Sequence, residues 1–240
     1  MKKVIALVAV TLMAATSFGQ HEIGAKAGYN YLMTNYEGSE TEFETNGGGY
    51  HLGAYYSYTP MDNLFLAGEL LISSRRWNAI SSSTTESSIT TKQETYSFYS
   101  NHYLDIPMSI KYGLNMRKGR YGDSKYLLFY AGPSVHLLMG SNGSVQRTTR
   151  VDAHDQTTVL QEEESYKSED LKDYFRPVQL GLNAGISYRF GFGLTLDARY
   201  QAFAMPSNKV DLDDVANSEW DGVVKQGMFM FSVGYSFLRD

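Results

Sequence analysis

The run Pro177-Val178-Gln179-Leu180-Gly181-Leu182-Asn183-Ala184-Gly185-Ile186-Ser187-Tyr188-Arg189-Phe190 decides the fold. Counting alternate positions puts Val178, Leu180, Leu182, Ala184, Ile186, Tyr188 and Phe190 on one face, with Gln179, Gly181, Asn183, Gly185, Ser187 and Arg189 on the other. A β-strand sends successive side chains to opposite faces, so this pattern predicts a strand with one wholly apolar side. After Gly191-Phe192-Gly193 the alternation resumes. Leu194, Leu196, Ala198, Tyr200 and Ala202 then oppose Thr195, Asp197, Arg199 and Gln201, which predicts a β-hairpin.

Outward from this hairpin the same period recurs. Ile23, Ala25, Ala27 and Tyr29 oppose Lys26, Gly28 and Asn30, while Leu104, Ile106, Met108, Ile110 and Tyr112 oppose Asp105, Ser109 and Lys111. Further strands fit near 50–58, 64–75 and 126–139. The last covers 226–238, with Phe229, Phe231, Val233, Tyr235 and Phe237 on its apolar face. About eight strands result. Their polar faces carry charges at mid-strand: Lys26, Glu69, Asp105, Lys111, Arg189, Asp197 and Arg199. A soluble sandwich or calycin-like barrel also alternates but buries its apolar face, with inside and outside reversed; charges and many glycines on the polar face, and smooth aliphatics flanked by aromatics on the other, suit instead a narrow, crowded interior and a lipid-facing wall. The expected fold is therefore all-β, a single closed up-and-down antiparallel barrel with apolar side chains facing lipid and paired charges in a narrow interior. Tyr29, Tyr31, Tyr56, Tyr58, Tyr112, Tyr188, Phe190 and Phe237 lie near strand ends, where interfacial aromatic girdles belong.

The connections alternate in length. Long polar segments near 34–48, 78–99, 141–174 and 206–225 interleave with short ones near 59–63, 115–125 and 191–193, which assigns the long loops to the outside and both termini to the periplasm. Thr148 to Val151 and Thr157 to Leu160 are β-prone, so a hairpin around Asp152 to Gln156 is expected to extend beyond the membrane without changing the strand count. Lys2, Lys3 and the apolar run Val4–Ala15 read as a secretory signal, with cleavage after Gly19 directed by Ser17 and Gly19. The mature barrel domain is then 20–240. The absence of cysteine rules out disulfide staples, and a net charge of −5 gives no basic stripe for a nucleic-acid partner. Pro107 and Pro133 fall inside strands. The alternation runs through both unbroken, so the carbonyl each leaves without a ladder donor is expected to be satisfied by water or a side chain.

The stretch His102-Tyr103-Leu104-Asp105-Ile106-Pro107-Met108-Ser109-Ile110-Lys111-Tyr112 resembles the outer-membrane β-barrel family called porin family or PorT-like, typical of Bacteroidetes, whose members carry a Tyr-Leu-x-Ile-Pro-x-x-x-Lys run. Gly24-Ala25-Lys26-Ala27-Gly28-Tyr29-Asn30, Ala131-Gly132-Pro133-Ser134 and Asp197-Ala198-Arg199-Tyr200 match three further stations of that pattern in order. The resemblance implies fold and location: outer-membrane lipid and lipopolysaccharide as surroundings, and insertion by the barrel assembly machinery. The family usually closes on a terminal aromatic, whereas Phe237 is followed here by Leu238-Arg239-Asp240. It implies no activity, because fold does not fix function.

Each candidate chemistry has a bland counterpart. Ser134 and His136, two apart on one interior face, pair a possible nucleophile with a base, but no third orienting acid is evident from the sequence. Asp152, His154 and Asp155 suit a metal or an activated water, and equally a solvated loop tip. Glu162 to Glu164, Glu169, Asp170 and Asp173 suit divalent cations, and equally an exposed acidic face. Arg75 and Arg76, before the second long loop, suit lipid phosphates or a charged interface. No catalytic residue, cofactor or metal is assigned. The expected function is a structural or surface-interaction role through the long loops. A narrow channel for small solutes is the alternative and a membrane-embedded hydrolase the second alternative, though an eight-stranded barrel is filled by its own side chains.

Overall fold

Alternation lets long stretches pair in one register, even across Pro107 and Pro133. The computed structural model describes residues 20–37, 46–86, 90–117, 125–153, 156–166, 175–207 and 223–239. These form strands β1 (Gln20–Glu37), β2 (Asn46–Met61), β3 (Leu64–Glu86), β4 (Thr90–Arg117), β5 (Lys125–Ala153), β6 (Gln156–Tyr166), β7 (Val178–Arg189), β8 (Leu194–Phe203) and β9 (Val223–Arg239). All neighbours are antiparallel. The order β1-β2-β3-β4-β5-β7-β8-β9 returns to β1 through sixteen paired positions of β1 and β9, from Glu22↔Arg239 to Glu37↔Val223. Closure leaves no sheet edge against lipid, where each unpaired backbone group would cost several kcal/mol. Among the described residues eight strands make the ring and β6 stands outside it, paired only with the upper part of β5 from Gly143↔Tyr166 to Ala153↔Gln156.

Three expected loops are shorter than their polarity suggested. Across 78–99, β3 and β4 stay paired from Asn78↔Phe98 to Glu86↔Thr90. The first loop shrinks because β1 runs to Glu37 and β2 begins at Asn46. In the third, β5 and β6 pair antiparallel as the expected hairpin, from Gly143↔Tyr166 to Ala153↔Gln156. The reason is physical: a ribbon beyond the lipid-facing band needs no apolar alternation, and the threonines at 84–85, 90–91 and 95 are strand-prone. At 28 and 29 residues, β4 and β5 far exceed the roughly 9–11 that cross the hydrocarbon, so their upper parts project beyond the lipid-facing band. A four-stranded sheet, β3-β4-β5-β6, rises from that end.

At the other end the turns are tight. Met61↔Leu64 closes over Asp62-Asn63, with Asn63 at φ 72°, and the β7–β8 turn contains Gly193 at φ 95°. That conformation suits glycine, which has no Cβ to clash. Gln20 and Arg239 lie at this same end.

Side-chain orientation follows the alternation. Phe231, Leu182 and Ile110 are 54%, 66% and 60% exposed on the outer surface, whereas Lys26, Asp105 and Arg199 are 6%, 1% and 3% exposed inside. Register holds through both prolines: Pro107↔Ser134 and Ile110↔Ala131 belong to one uninterrupted alignment. Asn183 completes the polar pairing there. Its Nδ2 donates to the carbonyls of Gly132 (2.8 Å), Pro133 (3.1 Å) and Met108 (3.2 Å). Gly132 permits the approach, since a Cβ there would lie 2.1 Å from the Met108 carbonyl oxygen. Register does shift elsewhere. Met139 is extra between His102↔Gly140 and Tyr103↔Leu138, and Phe237 is extra between Ile23↔Leu238 and Gly24↔Ser236, the usual signature of β-bulges.

Candidate functional site

Interior-facing positions meet in three layers. Nearest the tight turns, Arg189 Nη1 donates to Glu22 Oε2 at 2.5 Å, Tyr55 Oη donates to Glu22 Oε1 at 3.1 Å, and the Arg189 guanidinium lies 4.9 and 4.7 Å from the rings of Phe65 and Tyr126, which pack edge-to-face on each other. Planar guanidinium groups favour such aromatic faces.

The middle layer centres on Glu69. It accepts from Lys26 Nζ at 3.2 Å and Arg199 Nη2 at 2.7 Å, with Lys111 Nζ 3.9 Å away. Asp197 accepts from Tyr130 Oη at 2.6 Å and faces Lys26 at 3.4 Å and Arg199 at 3.8 Å. Three formal cations thus surround two carboxylates, all nearly dry. Where this layer meets the first, a cavity of about 30 Å³ remains, lined among others by Lys26, Glu69, Lys111 and Arg189. It has room for water but for no solute.

Higher up, Arg75 is 0% exposed. Its Nη2 donates to Asp105 Oδ1 at 2.8 Å and Nη1 to Gln179 Oε1 at 3.3 Å, and its guanidinium lies between the rings of Tyr103 and Phe203 at 4.1 and 4.6 Å. The placement corrects the assignment of Arg75 to lipid phosphates; only Arg76, of opposite parity, is exposed. Position 75 shares the parity of Glu69, and that signal was legible in the sequence.

Asp105 is also the third acid that the sequence did not make evident beside Ser134 and His136. His136 Nδ1 lies 2.7 Å from Asp105 Oδ1, and His136 Nε2 lies 2.9 Å from Ser134 Oγ. The order of groups is that of an acyl-transfer triad. Its surroundings are not. Ser134, His136 and Asp105 are at most 1% exposed, and Gln201 Nε2 sits 3.0 Å from both Ser134 Oγ and His136 Nε2, where a reacting carbonyl would have to enter. Asp105 stands directly opposite His136 in the β4–β5 register, a pairing that depends on two strands 31 residues apart. Glu22, Asn30 and His51 also join the interior: His51 bridges Asn30 Oδ1 at 2.6 Å and Ser232 Oγ at 2.7 Å.

The upper lumen also holds an apolar cluster, which interleaves with the polar groups, Leu71 lying between Glu69 and Arg75 along β3. Leu32, Leu71, Trp77, Phe175, Met228 and Met230 form one cluster at most 2% exposed, with Tyr99, Leu138 and Phe203 packed against it. Phe175 is held from outside the strands, since Arg176 N donates to Ser207 O at 2.9 Å and Leu138 N to Pro177 O at 2.8 Å. The interior is closed at two levels, one ionic and one apolar. On the outer wall of β9, Phe229, Phe231, Tyr235 and Phe237 are 40–64% exposed. Every second position from Tyr103 to Lys111, namely Tyr103, Asp105, Pro107, Ser109 and Lys111, is buried in the lumen. His154, Asp155, Glu169, Asp170 and Asp173, like residues 1–19 with the expected signal peptide, lie outside the described residues.

Among curated proteins no sequence matches this chain. Solved structures to which it is similar include Ail, the attachment invasion locus protein of Yersinia pestis, in complex with a heparin analogue (17% identity, 92% of this chain and 99% of that one, TM-score 0.35). Neisserial surface protein A is similar over 90% and 97% of the two chains (13% identity, TM-score 0.36), and OprG of Pseudomonas aeruginosa over 92% and 96% (9% identity, TM-score 0.38). Likeness at these scores carries no inference about activity. The family described as "Outer membrane protein beta-barrel domain" matches residues 15–202, from ahead of β1 through nearly all of β8. That match spans well over half of the chain, and the chain belongs to the outer membrane protein β-barrel domain family.

Proposed function

We propose that this protein is a non-catalytic barrel of the bacterial outer membrane, of the PorT-like kind found in Bacteroidetes, that interacts through the sheet and loops at its outer end. Residues 1–19 are its signal peptide, both termini face the periplasm, and the outer wall meets membrane lipid and lipopolysaccharide. The aromatic face of β9 is the segment offered to the barrel assembly machinery. The interior charges serve structure: they neutralise one another and hold the strands in register.

One observation carries this reading. The lumen is filled by an ion-paired layer around Glu69 and an apolar cluster around Trp77 and Phe175, so neither conduction nor substrate access to Ser134 has a path. Planar-bilayer recording of the refolded protein tests it. Insertion without conductance steps is expected, and reproducible steps from inserted protein would overturn the non-conducting role. Maleimide labelling of whole cells carrying single cysteines at position 160 or position 62 tests orientation: label at 160 and none at 62 is expected, and the reverse refutes it.

A further inference from the structure

We infer that the open edge of β6 captures an extended, basic polypeptide segment by strand addition outside the membrane. The inference rests on the proposed surface role and gives it a site.

Every ring strand has a neighbour on both sides across the membrane, but β6 ends its sheet. It pairs with β5 over eleven residues without a register shift, and among the described residues its second edge has no backbone partner. Alternate N–H and C=O groups along that edge are therefore available to another chain. Proteins commonly blunt such edges with proline, lysine or a bulge. The segment Gln156-Thr157-Thr158-Val159-Leu160-Gln161-Glu162-Glu163-Glu164-Ser165-Tyr166 contains neither proline nor lysine, and its pairing has no bulge. Thr157 to Leu160 are strand-prone, and Val159 and Leu160 are 49% and 59% exposed. A partner strand therefore finds apolar surface on both faces of the ribbon.

The charge selects the occupant. In the β5 register Glu162, Glu163 and Glu164 stand opposite Arg147, Gln146 and Val145, so three acidic residues meet one basic residue and the far half of the edge carries an acidic surplus. A second copy does not fit. Two barrels in one membrane are related by an axis along its normal, which sets β6 parallel to its copy and brings the glutamates at 162–164 against their own counterparts. Like charges directly opposite are destabilising. An antiparallel segment from another protein, with lysine or arginine in its N-terminal half, lies opposite those glutamates and satisfies both backbone and charge.

The test uses the full mature protein refolded in detergent. The probe is a fluorescent twelve-residue peptide of alternating valine and threonine with two lysines among its first four residues, and binding is read by anisotropy. Saturable binding is expected, weakening at least tenfold when both lysines are replaced by glutamate and several-fold in the E162Q/E163Q/E164Q variant. Adjacent residues send their N–H groups to opposite edges, so of V159P and L160P one removes a donor from the open edge and the other from the β5 ladder. Heat-modifiable gel migration, which reports the barrel beneath, is expected to be unchanged in both, with peptide binding lost in the open-edge variant. Absence of binding to the wild type, or binding indifferent to the lysines and to both prolines, would overturn the inference. Because detergent binding does not depend on orientation, its failure is distinguishable from failure of the surface reading, which the whole-cell labelling decides separately.

Discussion

Glu69 is the side chain whose loss the barrel should feel most. It is 3% exposed and is the shared acceptor for Lys26, Arg199 and Lys111 at 3.2, 2.7 and 3.9 Å. At an effective dielectric of about 20 these contacts correspond to attractions of roughly 5, 6 and 4 kcal/mol, gross terms that the desolvation of four charges largely offsets. Glu69→Gln preserves volume and removes the charge, leaving three cations with Asp197 alone. Breaking a buried pair by removing one partner costs about 3–5 kcal/mol, and that is the expected loss here. With a urea dependence of roughly 2 kcal/mol per molar, the unfolding midpoint in detergent micelles should fall by about 1.5–2.5 M, read by the fraction migrating as the compact, heat-modifiable form. A second substitution discriminates the electrostatic cause from lost packing. Lys111→Met in the Glu69→Gln background removes one surplus cation and should restore at least about 1 kcal/mol, a coupling between residues in one network. A midpoint within 0.3 M of the wild type for Glu69→Gln, or no recovery in the double variant, would refute the claim that charge balance around Glu69 stabilises the lumen.

Asn183→Ala removes the amide that serves the carbonyls of Gly132, Pro133 and Met108, and should cost about 1–3 kcal/mol by the same unfolding assay. Gly132→Val forces a Cβ against the Met108 carbonyl oxygen, so the yield of heat-modifiable barrel on refolding should drop sharply, while Gly68→Ala, where a Cβ meets nothing within 4 Å, should refold normally. Phe175→Ala opens the apolar cluster but leaves the ionic layer below intact; bilayer recordings should remain silent, and conductance steps would show that the cluster alone closes the lumen. Ser134→Ala should leave any lipid or peptide hydrolysis measured in the preparation unchanged, because Gln201 and burial deny the hydroxyl a substrate.

Much of the architecture was legible because alternation is local. The polarity of 178–190 depends on neighbouring residues alone, and it assigned Arg189 inward and Leu182 outward before any strand had a partner. The same counting carried Lys26, Asp197 and Arg199 to the lumen. It would have carried Arg75 there too, had its parity with Glu69 been weighed above its position beside a polar stretch. Loop length was less legible. Composition separates wet from greasy and not paired from unpaired, so 78–99 reads as a loop although its strands pair from Asn78↔Phe98 to Glu86↔Thr90, whereas the β-prone segments 148–151 and 157–160 marked the third hairpin in advance.

The sequence by itself determined that this chain makes strands with a lipid-compatible face and a charged one, about eight of them around a ring, because a period of two is a property of the backbone. Only the tertiary structure decided which charges meet. Lys26 reaches Asp197 across 171 positions, Asp105 meets His136, and β6 leaves the ring with one edge open, since all three follow from inter-strand register and shear, set by the closure of the whole sheet.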